Sequence, residues 1–266
     1  MLNSLLSGDL PRSKSLSIAL LVIVIGLVIT PFLFPGARSM NVAATVAVFI
    51  LVVASFDLLL GFTGILSFAH TMFFGIGAYG VAMGSDKLGE SMGLWTGMGI
   101  GLGLALLLTI VMALGISLFS LRVKTLYFAM ITLAVASAFQ IMCQTQTELT
   151  GGEDGINFLV PDILMPYTDL GYTFLGESLT GSHIAFYGLL FSVAVLFLIL
   201  LRIVNSPFGR VLQAIRDNDF RAEALGYRAV VYRSTSSILG SVFVCLAGAL
   251  LAMWLRYNGP AVTLGF

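Results

Sequence analysis

The side chains in this chain that could do chemistry sit in an unusual setting. Asp57 lies inside an apolar run, in SFDLLLGFTG. A carboxylate at membrane depth is costly and marks either an ion path or a helix anchor. Gly61, four residues on, is where an anchored helix end would fall. His70 follows in GFTGILSFAHTMFFGIGAYG, residues 61–80, with Ser67 and Thr71 as polar neighbours. Glycines interrupt this stretch repeatedly. At membrane depth they are tolerated where backbone lines a cavity or packs inside protein. Asp57, Gly61, Ser67, His70, Gly75 and Gly77 are therefore candidates for lining a path across the membrane.

Other chemistries are poorly supplied. The second histidine, His183, opens a different apolar run, so His70 lacks the co-ligands a metal site needs. Cys143 and Cys245 lie far apart in apolar runs and form neither a disulfide framework nor a metal set. Asp217 and Asp219 are a carboxylate pair, but magnesium-diphosphate chemistry needs several carboxylates on facing helices. No Ser-His-Asp arrangement or zinc-protease motif is present. TGGEDG, residues 150–155, lacks the Gly-Lys-Ser/Thr ending of a phosphate loop. It reads as an acidic turn, with Gly151, Gly152, Glu153 and Asp154 as candidate docking residues. The expectation is a non-enzyme with no cofactor and no metal.

The elements that must position these residues are membrane helices. Residues are 58% hydrophobic and 10% charged, with a mean hydropathy of +1.03. A soluble domain carries about 25% charged residues. The formal net charge is zero, so nothing points to nucleic acid. Candidate spans fall at 16–34, 42–60, 71–85, 94–120, 125–143, 183–201 and 234–256, several near the roughly 20 apolar residues a crossing needs. The first run is longer than a signal-peptide core and no A-x-A-like site follows, so it reads as a retained span. The fold class expected is all-α, a polytopic transmembrane helical bundle forming one domain over 1–266. The chain ends at NGPAVTLGF without a polar tail, which reads as C-terminally incomplete.

The loops set the orientation. Residues 144–182 contain no Lys or Arg and six acids, whereas 202–233 contain six arginines. The positive-inside rule puts 202–233 in the cytoplasm and 144–182 outside. The first half is less constrained, because 42–85 reads either as two spans or as one broken span. Glycines four apart (Gly93, Gly97 and Gly101; Gly99 and Gly103; Gly80 and Gly84) predict faces for close helix packing.

The basic loop has more shape than topology requires. Ser206 and Pro207 suit a helix start. Phe208, Val211, Leu212 and Ile215 then form an apolar stripe. Asp219 is placed to cap a second short helix, Phe220 to Leu225, which Gly226 would end. That helix presents Phe220, Ala222, Ala224 and Leu225 as a knob for a groove in a cytoplasmic partner.

The segment GRVLQAIRDNDFRAEALGY resembles the cytoplasmic loop of branched-chain amino acid ABC-transporter permeases of the M type. FDLLLGFTGILSFAHTMFFGIGAYG resembles that family's glycine-rich early segment, and LTGGEDGI its external loop. The three occur in the family's order between residue 56 and about 250. The resemblance implies that Asp219, Phe220, Arg221, Ala222, Glu223, Ala224, Leu225 and Gly226 form the coupling helix that sits on the ATPase. It implies a second permease subunit, two cytoplasmic ATPase subunits, a periplasmic solute-binding protein and a bacterial inner-membrane setting in lipid. The family includes urea and short-amide permeases, so the resemblance leaves the substrate open. Its members continue beyond this chain's last residue with further spans. The alternative expectation is an ion-coupled secondary transporter or channel relying on Asp57 and His70.

Overall fold

A computed structural model describes residues 14–34, 36–120, 125–174 and 177–263. Each of the seven apolar segments is helical: α1 (Lys14–Leu33), α2 (Ala37–Thr63), α3 (His70–Met83), α4 (Leu94–Ser120), α5 (Thr125–Thr145), α6 (Gly181–Val204) and, after two short helices, α9 (Ala229–Leu255). The short pair is α7 (Pro207–Asp217) and α8 (Asp219–Ala224). Among the described residues five helices are long and apolar enough to cross a membrane: α2, α4, α5, α6 and α9. The 27 residues of α9 rise about 40 Å at about 1.5 Å each, more than a bilayer core of about 30 Å. The fourteen-residue α3 is shorter, and a π-helical turn, Gly84–Leu88, extends it.

Packing centres on α3. Its residues are buried almost all round, from His70 through Ala82 except Thr71. It lies between α9 and α4, and α2 packs along α9. A helix buried on every face cannot be amphipathic, and what it offers its neighbours is smallness. Gly77 of α3 lies against the backbone of Cys245, and Gly248 of α9 lies against the backbone of Phe74. On the other side Gly80 and Gly84 meet Gly101 and Gly97 of α4. The four-residue glycine spacing is used only in part. Gly99 and Gly103 have nothing within reach of a side chain, and Gly93 is a break before α4 with φ +90°.

Side-chain hydrogen bonds fix the directions of the helices. At one end of the bundle, Trp254 near the end of α9 donates to Asn41 near the start of α2 (2.9 Å). At the other end, Ser236 of α9 donates to the Leu58 carbonyl of α2 (3.3 Å). The two helices therefore run antiparallel along their length. After α2 ends, His70 packs edge-on against Phe56 (5.2 Å between ring centroids), and α3 runs back to where Ser85 donates to the Leu159 carbonyl (2.5 Å). Residues 42–85 are thus two antiparallel helices and not one broken helix.

The acidic loop folds on the Trp254 end. Strand β1 (Ile156–Asn157) pairs antiparallel with β4 (Tyr257–Asn258), which follows α9. Strands β2 (Asp169–Phe174) and β3 (Glu177–Thr180) form a hairpin leading into α6. Thr180 and His183 cap the start of α6 reciprocally, which gives the second histidine a structural task.

Candidate functional site

The arginine-rich end carries the most developed surface. Pro207 opens α7 at a position where its missing N–H costs nothing. Ser206 is the N-cap residue, but its hydroxyl donates backward to the Ile203 carbonyl (2.6 Å) and caps no helix amide. Helix α7 buries Gly209, Leu212 and Ile215 against α2, α6 and α9, so most of the expected apolar stripe is an anchor to the spans.

Helix α8 begins one residue earlier than the sequence suggested. Asn218 is its N-cap and accepts from the Arg221 N–H (3.0 Å). Asp219, expected as the cap, instead accepts from Arg233 at the start of α9 (2.8 Å), the ion pair found among the described residues. Adjacent Asn and Asp are both good caps. The extended backbone of Asn218 (φ −160°, ψ 103°) decides between them and leaves Asp219 free to pair. The helix closes as expected. Gly226 has φ +91°, its N–H reaches the Glu223 carbonyl (2.9 Å), and the Tyr227 N–H reaches Ala222 (3.1 Å). This two-bond closure needs a left-handed residue, the role glycine fills.

The exposed face of α8 is narrower than expected. Ala222 is buried with Ile215 and Ala229, so it belongs to the anchor and not to the knob. Phe220 and Leu225 stand out at 86% and 78% exposure, flanked by exposed Arg221, Glu223 and Ala224. The Asp219–Arg233 pair is partly solvated, with side chains 39% and 22% exposed. Arg233→Gln should therefore cost no more than about 1 kcal/mol of stability. Thermal unfolding of the detergent-solubilised protein checks this.

Beside α7 lies the end of α2. Gly64 is left-handed (φ +72°), its N–H bonds the Leu60 carbonyl (3.2 Å), and the Ile65 N–H bonds Leu59 (3.3 Å). Arg216 of α7 donates to the Gly61 carbonyl. Asp57 is exposed on the outside of this last stretch of α2, which continues to Thr63, past the predicted end at 60. Its carboxylate lies over Gly61, where an added Cβ would stand 2.7 Å from Asp57 Cγ.

The other path candidates are buried. Ser67 accepts from the Ala69 N–H (3.3 Å) in the break between α2 and α3. His70 lies next to Gly240 of α9, where an added Cβ would stand 3.6 Å from Nε2 and 3.3 Å from the Ser55 carbonyl. Gly75 is buried, and Gly77 is taken up by its contact with Cys245. The structure thus gathers Ser67 and His70 near the arginine-rich end and sets Asp57 apart on an outer face. Among the described residues no group of His, Cys, Asp and Glu could hold a metal ion.

At the opposite end TGGEDG is a turn built on glycine. Gly151, Gly152 and Gly155 all have φ between +63° and +72°. Gly155 lies against Asn258 and Gly259, and Tyr257 donates to the Asp154 carbonyl (3.2 Å). The loop is thereby tied to the end of α9, while the side chains of Glu153 and Asp154 face outward. Further along the same loop Tyr167 donates to Asp162 (2.8 Å), and that bond raises the phenol above its usual range. From sequence Arg216 and Arg233 counted only among the arginines that set the orientation, and Tyr257 was not picked out. Their partners lie elsewhere in the chain, and no local spacing reports them.

Residues 38–266 match the family described as branched-chain amino acid transport system, permease component. The chain is 26% identical to the high-affinity branched-chain amino acid transport system permease protein LivM of Salmonella typhimurium, over 96% of the chain and 61% of that protein. It is 24% identical to the protein of the same name in Escherichia coli, with the same coverage. A probable branched-chain amino acid transport permease protein LivM of Methanocaldococcus jannaschii is 30% identical over 51% of the chain and 36% of its own length. The chain thus spans about three fifths of the length of the first two relatives. No solved structure matches it significantly.

Proposed function

The chain belongs to the family of permease components of branched-chain amino acid transport systems, and on that premise we propose that it is the M-type permease subunit of an ATP-driven importer of branched-chain or related amino acids. The observation that carries the ATP-driven part is α8. A six-residue helix, capped at both ends, seated by buried Ala222 and tethered by the Asp219–Arg233 pair, holds two large apolar side chains out into water. An exposed apolar pair on a capped helix fits a groove in a partner.

In this reading the arginine-rich end is cytoplasmic, as the positive-inside rule requires. Two ATPase subunits bind there, one on this chain and one on a second permease subunit. The acidic loop, 144–182, faces a periplasmic solute-binding protein, with Gly151, Gly152, Glu153 and Asp154 at its docking turn. The helical bundle crosses the bacterial inner membrane, with α2, α4, α5, α6 and α9 as the helices long enough to span it. Ser67 and His70 border the path, Gly77 serves helix packing, and Asp57 anchors the cytoplasmic end of α2. ATP is hydrolysed on the partner, and this chain does no bond chemistry.

Reconstituting the whole assembly in liposomes with the binding protein tests the reading. Uptake of leucine should require ATP inside the vesicle. Uptake driven by a proton gradient without ATP would favour the ion-coupled alternative instead. Within the same assay Gly226→Val should reduce uptake several-fold, since a β-branched residue at φ +91° costs about 1–2 kcal/mol and disturbs the end of α8. Glu223→Arg reverses a charge on its exposed face and should act in the same direction. Normal uptake in both variants would count against α8 as the docking element.

A further inference from the structure

We propose that Arg216 is a positioning residue that links the α7–α8 unit to the end of α2, and through it to the break that leads into α3. The proposal rests on the docking role of α8 and adds the route by which motion there reaches the path.

The argument begins with the carbonyls at the end of α2. A helix leaves its last four carbonyls without intrahelical partners. Here Leu60 takes the Gly64 N–H, while Leu59, one residue earlier, takes the Ile65 N–H and the Thr63 hydroxyl (2.6 Å). Arg216 supplies a donor to the next carbonyl, that of Gly61, from a helix 155 positions further along the chain. A guanidinium at a helix C-terminus also suits the negative end of the helix dipole. Glycine suits both neighbouring positions. A Cβ at 61 would meet the Asp57 carboxylate, and a Cβ at 64 would stand 3.3 Å from Arg216 Cγ.

Arg216 is placed to transmit motion. It follows Ile215, which is buried under α8 with Ala222. It precedes Asn218, whose N–H closes α7 on Ala214 (3.1 Å) and whose side chain opens α8. Displacing α8 must therefore displace Arg216. On the other side of the contact, the chain leaves α2 at Gly64 and reaches Ser67 and His70 within six residues. Short, glycine-hinged segments are where a two-state element can store a rearrangement. The contact joins a docking helix to such a segment, which is what an account of coupling requires.

The test uses the complete reconstituted transporter and compares Arg216→Ala and Arg216→Lys with the unsubstituted chain. For Arg216→Ala the expected result is unchanged binding of the ATPase subunits, continued ATP hydrolysis, and a fall of about tenfold in uptake per ATP, within the span typical of couplings between sites. Arg216→Lys keeps a cation on a long stem and should recover part of the loss. A merely structural role would lower yield and melting temperature while leaving uptake per ATP unchanged, and that result overturns the proposal. Loss of ATPase binding in Arg216→Ala also overturns it, by making Arg216 part of the docking surface. If the unsubstituted transporter shows no ATP-driven uptake, the functional reading fails and the proposal with it. If it transports and Arg216→Ala transports equally well per ATP, the proposal alone fails.

Discussion

Gly77→Val and Gly248→Val are each expected to keep the protein from accumulating in folded form. The two glycines face opposite partners across the crossing of α3 and α9. A Cβ at Gly77 would stand 2.6 Å from the Cys245 carbonyl carbon and 3.0 Å from its Cα, and a Cβ at Gly248 would stand 2.8 Å from the Phe74 carbonyl carbon. In both cases the obstacle is backbone, which cannot swing aside as a side-chain tip can. Overpacking a core costs about 1–3 kcal/mol where side chains can adjust, and more where they cannot. Total stabilities are only about 5–15 kcal/mol, so a loss above about 3 kcal/mol will show as missing protein. Because α3 is buried almost all round, separating it from α9 also opens its contacts with α4. The internal controls are Gly99→Ala and Gly103→Ala, which meet nothing within 4 Å and should not lower stability, since alanine is the better helix former by about 0.5–1 kcal/mol. Size-exclusion profiles and thermal unfolding of the solubilised protein read both sets. Equal behaviour of the four variants would mean that the helix crossing has been placed wrongly.

The second large effect concerns binding and leaves the fold alone. Phe220→Asp is expected to remove the ATPase subunits from the complex without changing stability beyond about 0.5 kcal/mol, since Phe220 is 86% exposed and supports no neighbour. Buried aromatic anchors at interfaces are worth about 2 kcal/mol or more, and about 1.4 kcal/mol is tenfold in affinity. A weakening of at least about thirtyfold follows for Phe220→Ala, and a larger one for the charged substitution. Leu225→Ala should act in the same direction by a smaller amount. Substituting buried Ala222 by Asp would instead unseat α8 from Ile215 and Ala229. The contrast between Phe220 and Ala222 separates the docking face from the anchoring face. Titrating purified ATPase onto the reconstituted permease gives the affinities.

The seven apolar segments and the two short helices were readable from sequence because their cues are local. Pro207 marks a helix start and Gly226 a helix end, whatever the rest of the chain does. The cues weakened where two residues competed or where a partner lay elsewhere. Asn218 and Asp219 are equally good caps, and only the backbone angles set by α7 choose between them. Gly97 and Gly99 carry the same four-residue spacing, but spacing identifies a helix face and not whether a neighbour lies on it. The expected knob included Ala222, since a six-residue helix is too short for periodicity to separate its two faces. Arg216 and Arg233 read from sequence as topology signals. The Gly61 carbonyl and Asp219 give them further tasks that no window around either arginine contains. The pairing of β1 with β4 was invisible for the same reason, since two-residue strands carry no alternation to detect.

The central claim is that α8 is the surface on which the ATPase sits, and a photocrosslinking side chain placed at position 220 tests it most directly. In membranes containing the whole assembly, irradiation should give one product joining this chain to the ATPase subunit. The same probe at position 153, on the acidic turn at the other end of the bundle, should give none. A crosslink to the ATPase from 153, or its absence from 220 while the assembled complex hydrolyses ATP, would contradict the account.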